Sequence, residues 1–469
     1  MTEVSLAQHG MWITERLGAG SAYHMPILIR FDAPPDRGLL AKAVARLVER
    51  HPLLGCAVAD RDGVPSLVPA AVPPRLADRV SAEPFDLERG PLIRFALDGD
   101  TLHVVAHHLV FDGHSKDVLV ADLAAFCEGA EPPPLEVVDH AAAQRERVAA
   151  RLEEARAFWA ERWRDPGGTV VPGGVLRSRG GGAGGLLEFG LDLPAVPGLT
   201  RFEVLLAALH ALLASYGNAC VATAVDLSTR TPAEEGRIGP FVNELPVFSA
   251  PSPATPFADF AMTLRAELRQ VYGFREVPLA RAVPGIRPHA ALAPVSVSYR
   301  RAGAEVPGWH VDRLAFNGAV RGALQLQLLD SPGGLRASLR HAPAEVADPA
   351  RIARDLKALL ARIGADPGLP LRDLTPFHDA VTAPVEEGGT AARAVDAADP
   401  MLAEITAIWE EVLKFAPIEP HDDIFDLGGH SLTITQIIAR MRKRLGVEVD
   451  LDDFFDNPTI AGVLEAVRR

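Results

Sequence analysis

The sequence predicts an α/β protein of two similar blocks followed by a small all-α unit. Three observations predict it. Helical and alternating apolar patterns are intermixed through most of the 469 residues, two stretches lacking apolar periodicity interrupt them, and the final 70 residues carry helical stripes only,. The divisions fall at 1–165, 166–375, a flexible linker at 376–399, and 400–469. The first joint, 165–185, reads DPGGTVVPGGVLRSRGGGAGG and holds too much Gly and Pro for a regular element,. The second, TPFHDAVTAPVEEGGTAARAVDAAD, shows no apolar period at all,.

In the first block, residues 39–50 and 143–163 have helical spacing, the latter through Val148, Leu152, Trp159 and Trp163,. Residues 102–108 alternate as a strand, with Leu102, Val104, Ala106 and His108 on one face,. In the second block, 202–216 is an almost wholly apolar helix and is expected to be buried. Residues 295–299 and 323–329 read as strands, Leu324, Leu326 and Leu328 alternating with Gln,. The last unit carries one stripe at Leu402, Ile405, Ile408, Trp409 and Val412. A second runs through Ile434, Ile437, Ile438, Met441 and Leu445, and a third through Ile460, Val463, Leu464 and Val467. With a short apolar step at Phe454-Phe455 before Asn457-Pro458, this predicts a small four-helix bundle,.

Composition narrows the class without naming a chemistry. Apolar residues make up 48% and charged residues 23%, as in folded globular protein rather than disordered chain,. A net charge of −14 argues against nucleic acid or an anionic membrane as the main partner,. Three cysteines, Cys56, Cys127 and Cys220, form no CxxC pair, so neither a disulfide framework nor a zinc site is expected,. The opening MTEVSLAQHG has no basic segment followed by an apolar one, and the longest apolar run is too short to span a bilayer,. The expected location is the cytoplasm.

Residues 107–115 read His107-His108-Leu109-Val110-Phe111-Asp112-Gly113-His114-Ser115, directly after the alternating strand. Adjacent histidines at a strand end place one imidazole on each face, so one can enter a cleft while the other packs behind it. Imidazole titrates near neutrality and suits proton acceptance from an attacking amine or hydroxyl. Asp112 can fix the loop by an ion pair to an arginine, and Gly113 permits close backbone approach. The other reading is a metal or core histidine pair, although the spacing does not match zinc ligands and no second ligand cluster exists.

HHxxxDG after a strand resembles the signature of the condensation domains of nonribosomal peptide synthetases, relatives of chloramphenicol acetyltransferase. Ser5-Leu6-Ala7-Gln8 with Trp12 resembles that family's S-x-A-Q-x-x-x-W opening. Glu49-Arg50-His51-Pro52-Leu53-Leu54 resembles its R-H-x-x-L-R stretch, with Gly55-Cys56 where Arg-Thr is usual. Residues 144–163 look like the helix closing the first lobe. Ile238-Gly239-Pro240-Phe241-Val242-Asn243 matches I-G-x-F-V-N, and Val277-Pro278 falls where D-x-P-F-E is expected.

The resemblance covers residues 1 to about 375. It implies two chloramphenicol acetyltransferase-like lobes in a V, with a tunnel between them where a donor thioester and an acceptor amine meet one histidine. His108 carries over as the active-site histidine, and His107 and Asp112 as structural members. Arg230 would pair with Asp112, Asn243 would sit on the segment crossing between lobes, and Gly113 would lie beside the thioester carbonyl to assist an oxyanion. His114 stands where the family usually has an aromatic residue, either as a filler of that size or as a second proton relay. Tethering two reactants supplies roughly 7–11 kcal/mol of barrier reduction and a positioned base about 10²–10⁴-fold, so His108 acts as base or as orienting group.

Residues 422–432 read DDIFDLGGHSL, a Gly-Gly loop ending where an apolar helical stripe begins. Ser431 thereby heads a helix, where the backbone dipole favours a phosphodiester. A helix cap is the ordinary reading of such a serine. The string, inside a unit with thirteen Asp/Glu against seven Lys/Arg over 401–469, resembles a peptidyl carrier protein, whose serine takes 4′-phosphopantetheine.

No nucleotide-binding fingerprint accompanies either unit. The resemblance therefore implies an adenylation enzyme and a donor carrier protein acting in trans, a phosphopantetheinyl transferase, and other synthetase modules as partners. Amide bond formation between a carrier-bound donor thioester and an acceptor amine is the leading expectation. Ester formation with a hydroxyl acceptor, or a non-catalytic docking and recruitment domain fused to a carrier, is the alternative. Epimerisation is disfavoured because the unit precedes its carrier, and heterocyclisation because HHxxxDG stands where those domains have DxxxxD.

Overall fold

The structure, a computed structural model, describes residues 2–374 and 399–468 apart from 17–19, 62, 82, 137, 285, 287–289, 414–416, 425–426, 428 and 430. The linker expected at 376–399 therefore lies outside the described residues except for Asp399.

Two sheets organise the large part of the chain. The first has five strands in the order Trp309–Asp312, His24–Phe31, Thr101–His107, Ile93–Asp98, Leu76–Ala77. Helices Arg37–Arg50 and Ser115–Cys127 pack together beside it. Asp36 caps the former by accepting from Leu39 N at 2.9 Å, which starts the helix two residues before its apolar period does,. The second sheet has six strands in the order Gly185–Leu191, Gly334–His341, Leu324–Ser331, Val295–Arg301, Val221–Ser228, Val242–Ser249. Leu324, Leu326 and Leu328 are buried while the intervening glutamines are half-buried, the alternation their spacing predicts,.

The apolar helix Arg201–Ser215 opens with a capping box from Thr200 and Glu203,. Every residue of it from Glu203 to Ser215 is buried. It packs against Phe257–Tyr272, Pro349–Ala365 and the strand Val221–Ser228.

Two features differ from the sequence expectation. Helix His140–Arg162 does not simply close the first lobe. Gln144 Oε1 accepts from Leu6 N at 2.9 Å, but Val148, Ala155 and Trp159 belong to the core of the second lobe. The Gly-rich joint also contains regular structure: Thr169–Val171 pairs with Gly174–Leu176, and Gly181–Ala183 pairs with Ala319–Arg321. Strand pairing uses backbone groups only, so a partner edge can order glycines that have no side chain to pack.

Among the described residues the last unit has four helices: Pro400–Leu413, Ser431–Leu445, Leu451–Asp456 and Ile460–Val467. Leu402, Ile405, Ile408, Trp409, Ile434, Ile437, Met441, Phe454, Ile460 and Val463 form its interior, with Trp409 stacked on Phe454 at 5.8 Å. Its helix Ser431–Leu445 lies on the hairpin of strands Cys56–Arg61 and Val64–Pro69. Gly63, with φ of 81°, sits where any Cβ would meet the Thr435 carbonyl,. Among the described residues no helix is long and apolar enough to cross a membrane.

Candidate active site

The strand Thr101–His107 ends at the first histidine, and His108 opens a short turn through Val110. His107 stabilises that turn, its Nδ1 accepting from Leu109 N at 3.1 Å. Its ring is fully buried, with Nε2 3.5 Å from Glu15 Oε2 and Phe85 edge-on at 5.9 Å. The expectation that His108 shares a face with Leu102, Val104 and Ala106 is thus corrected. Those three are buried in the first-lobe core, and the turn swings His108 out of strand register into a cavity between the sheets.

This cavity measures about 170 Å³. Its walls include Leu6, Met11 and Tyr23 from the first lobe and Asp226, Asn243, Glu244, Leu279 and Arg321 from the second. Tyr23 meets the His108 ring edge-on at 5.9 Å. His108 Nδ1 is enclosed without a hydrogen-bond partner among the described residues. Burial pushes the imidazole below its ordinary pKa, against the opposing field of Asp112 and the backbone groups of His108 and Phe111 beside the ring, so the ring is neutral at pH 7,.

Asp112 holds the turn in place. Arg230 Nη2 donates to its Oδ1 at 2.8 Å and Oδ2 at 2.9 Å, with both side chains nearly inaccessible. Ser115 N and Oγ each donate to Oδ1 at 2.7 Å, and Phe241 N donates to Oδ2 at 3.0 Å. Asp112 comes from the first lobe; Arg230 and Phe241 come from the second. A buried carboxylate with this many donors joins the two lobes directly behind His108. Asn243 lies on the strand Val242–Ser249, where its Nδ2 donates to the Arg275 carbonyl at 2.9 Å and that of Val277 at 3.0 Å. It therefore ties the cavity wall to the segment containing Val277-Pro278.

Gly113 and His114 do not join this cavity. Gly113 is covered by Arg300, whose Nη1 donates to the Gly113 carbonyl at 2.6 Å. A Cβ on Gly113 would stand 3.2 Å from Arg300 Cδ, so the missing side chain makes room for a guanidinium and not for a thioester. His114 is half-exposed, with its Nε2–H donating to the Glu235 carbonyl at 2.9 Å, which leaves no relay path into the cavity. Asp226, Glu244 and Arg321 were not anticipated from sequence. The available signals were a lone carboxylate inside the apolar run VATAVDL and an acid directly after Asn243.

Ser431 is the first residue of the helix Ser431–Leu445. Immediately before it, Gly429 N donates to the Ile424 carbonyl at 2.7 Å, and a Cβ on Gly429 would collide with that residue. Only glycine fits this approach, which closes the loop tightly ahead of the helix. A helix N-terminus headed by serine suits a phosphodiester, so the residues present fit a phosphopantetheine attachment. Phe425, Asp426, Gly428 and His430 of the same string lie outside the described residues. The described residues contain no group of His, Cys, Asp and Glu that could hold a metal ion.

Two family profiles match the chain. A condensation-domain family profile matches residues 72–173, and a phosphopantetheine attachment site profile matches residues 403–467. The chain is 28% identical over 432 residues to chondramide synthase cmdD of Chondromyces crocatus, covering 79% of this chain and 11% of that protein. It is 25% identical over 479 residues to surfactin synthase subunit 2 of Bacillus subtilis strain 168, covering 92% of this chain and 13% of that protein. The chain thus spans little more than a tenth of these relatives. Among solved structures, the first condensation domain of the calcium-dependent antibiotic synthetase, in complex with a substrate analogue, superposes with a TM-score of 0.63 at 21% identity. That match covers 79% of this chain and 98% of the other. The fold is accordingly the two-lobed, chloramphenicol acetyltransferase-like condensation fold followed by a helical carrier domain. The two profiles thus place condensation-domain sequence at 72–173 and a phosphopantetheine attachment domain at 403–467, in a chain similar over most of its length to nonribosomal peptide synthetases.

Proposed function

We propose that the chain forms an amide bond between a donor acyl or peptidyl thioester, delivered by a separate carrier protein, and an acceptor amine, with His108 at the reacting centre. The observation that carries this reading is the His108 imidazole, neutral through burial, on the wall of a cavity between the lobes. A phosphopantetheine group on Ser431 would supply a thiol on a flexible arm.

The acceptor nitrogen attacks the thioester carbonyl carbon, the C–N bond forms, and the C–S bond breaks. His108 accepts the proton shed by the nitrogen and returns it to the departing sulfur, or orients the amine and stabilises its positive charge. Asp112 and Arg230 hold the turn that aims the imidazole, and Asn243 holds the opposite strand. Because positioning alone supplies roughly 7–11 kcal/mol, the rigidity behind His108 contributes as much as its basicity. The implied partners are the donor carrier, a phosphopantetheinyl transferase for Ser431, and an adenylation enzyme that charges the carrier.

Mass spectrometry of the Ser431 peptide tests this. The chain is primed by a phosphopantetheinyl transferase, loaded with an amino acid, and given a donor-charged carrier, with His108→Ala in parallel. The expected result is a donor-acyl mass gain on the wild-type peptide that is absent in the variant. Priming without acyl transfer to the peptide, or to a free amine, across a panel of donors would favour a recruitment domain instead.

A further inference from the structure

The cavity that receives His108 contains three charged groups outside every sequence motif: Asp226, Glu244 and Arg321. Asp226 and Glu244 face each other across the antiparallel pair Val221–Ser228 and Val242–Ser249, so their side chains share one face of the sheet,. Arg321 Nη1 donates to Glu244 Oε2 at 3.0 Å, and its Nη2 to the Ala290 carbonyl at 2.8 Å. The guanidinium is thus committed to Glu244 and to the backbone. Asp226 accepts no hydrogen bond from any described residue, although its carboxylate opens into the cavity.

The cluster is two potential negative charges against one positive. Asp226 keeps an exposed edge toward the cavity, and its enclosure by the surrounding walls, then the like charge of Glu244, raises its pKa to about 7 against the pull of Arg321,. A cation placed in the cavity would relieve both effects, whereas a neutral hydroxyl would relieve neither. The His108 ring borders the same space. Two polar groups of complementary use, a carboxylate for a cation and a neutral imidazole for its proton, therefore line one small cavity.

We propose that Asp226 anchors the acceptor as its ammonium ion, so that the cavity takes amine acceptors in preference to hydroxyl acceptors of the same shape. The proposal rests on the condensation reading of the His108 site. The acceptor enters as R–NH3+ and pairs with the Asp226 carboxylate. That carboxylate takes one proton, giving R–NH2 and a neutral acid. The nitrogen lone pair forms the C–N bond as the C–S bond breaks, and His108 passes the second proton from nitrogen to sulfur. Asp226 then releases its proton to solvent. The sum is ammonium plus thioester giving amide, thiol and one proton.

The test uses two non-hydrolysable acceptor mimics, the L-alanyl and L-lactyl amides of an N-acetylated ethylenediamine, which differ only in amine against hydroxyl. Their binding to the full chain, to Asp226→Asn and to Glu244→Gln is measured by calorimetry near pH 7.5, with melting curves to confirm folding. The wild type should bind the alanyl compound about tenfold or more tightly than the lactyl one. Asp226→Asn should abolish the preference, and Glu244→Gln, which frees Arg321 to turn to Asp226, should reduce it. Equal affinities in the wild type, or a preference that survives both substitutions, overturns the anchor. Turnover separates this from the parent reading. Amide formation with kcat/KM unchanged in Asp226→Asn would remove the anchor alone, whereas an intact binding preference without amide formation from any acceptor would remove the condensation reading alone.

Discussion

His108 and His210 are both enclosed by protein and both held neutral by burial, yet they differ in how their nitrogens are used. His210 sits in the apolar helix Arg201–Ser215, with Nδ1 2.8 Å from Ser249 Oγ and Nε2 2.9 Å from Thr223 Oγ1. Burial lowers its pKa to about 3. Both ring positions are taken, and the imidazole serves as a polar rivet between helix and sheet. His108 has an enclosed nitrogen without a partner, and its ring borders a cavity shared by both lobes. Burial silences the charge of a histidine in either place. A place on the wall of a cavity, rather than between two hydroxyls, distinguishes a reactive one.

Five experiments break or sharpen this contrast. Replacing His108 by Ala should lower turnover by about 10²–10⁴-fold with little change in melting temperature; turnover near wild type would place His108 with His210 as a structural group. Arg230→Leu should cost about 3–5 kcal/mol in urea unfolding, because it strands Asp112 as a buried charge behind the active turn,. An effect below about 1 kcal/mol would mean that the donors from Ser115 and Phe241 suffice for Asp112.

His210→Ala should cost about 1–3 kcal/mol for each hydroxyl left without a partner, with turnover of the folded protein retained. The same residue sets a pH signature. Its folded pKa lies below the unfolded value near 6.5, so the unfolded chain binds the extra proton between those values and stability falls as pH falls,. The slope contributed is about 1.4 kcal/mol per pH unit, and His210→Gln should remove it from stability curves taken between pH 6.5 and 4. The smallest effect is expected at Gly113. Its backbone is not left-handed, and a Cβ meets only the flexible Arg300 side chain, so Gly113→Ala should change stability by less than about 1 kcal/mol and preserve turnover,. A large loss of turnover would instead put Gly113 in contact with substrate.

Much of this was legible in the sequence because it is written locally. The helices expected at 39–50 and 202–216 follow from apolar period, with their first turns added by the caps at Asp36 and Thr200, and the histidine strand follows from alternation. The partnership of Asp112 with Arg230 needed the family resemblance, since nothing local links positions 118 residues apart. The swing of His108 out of register was hidden because strand alternation cannot say at which residue a strand ends. The cover of Gly113 by Arg300 was hidden because it depends on how two sheets meet. Asp226 and Glu244 face each other only through a register that no single strand encodes,. The strand Trp309–Asp312 was invisible for the same reason: a four-residue half-exposed segment carries almost no pattern of its own.

That strand belongs by sequence to the second lobe but pairs with Leu28–Phe31 at the edge of the first sheet, where Trp309 packs edge-on against Phe31 at 5.0 Å. It bears on how synthetases can be recombined. A splice at the Gly-rich joint that grafts a foreign second lobe would replace this strand too, and a poor match would leave the backbone donors and acceptors of His24–Phe31 as an open edge available to another chain. Chimeras cut there should aggregate unless residues 309–312 travel with the first lobe's own sheet. The natural unit of exchange is therefore the pair of lobes together.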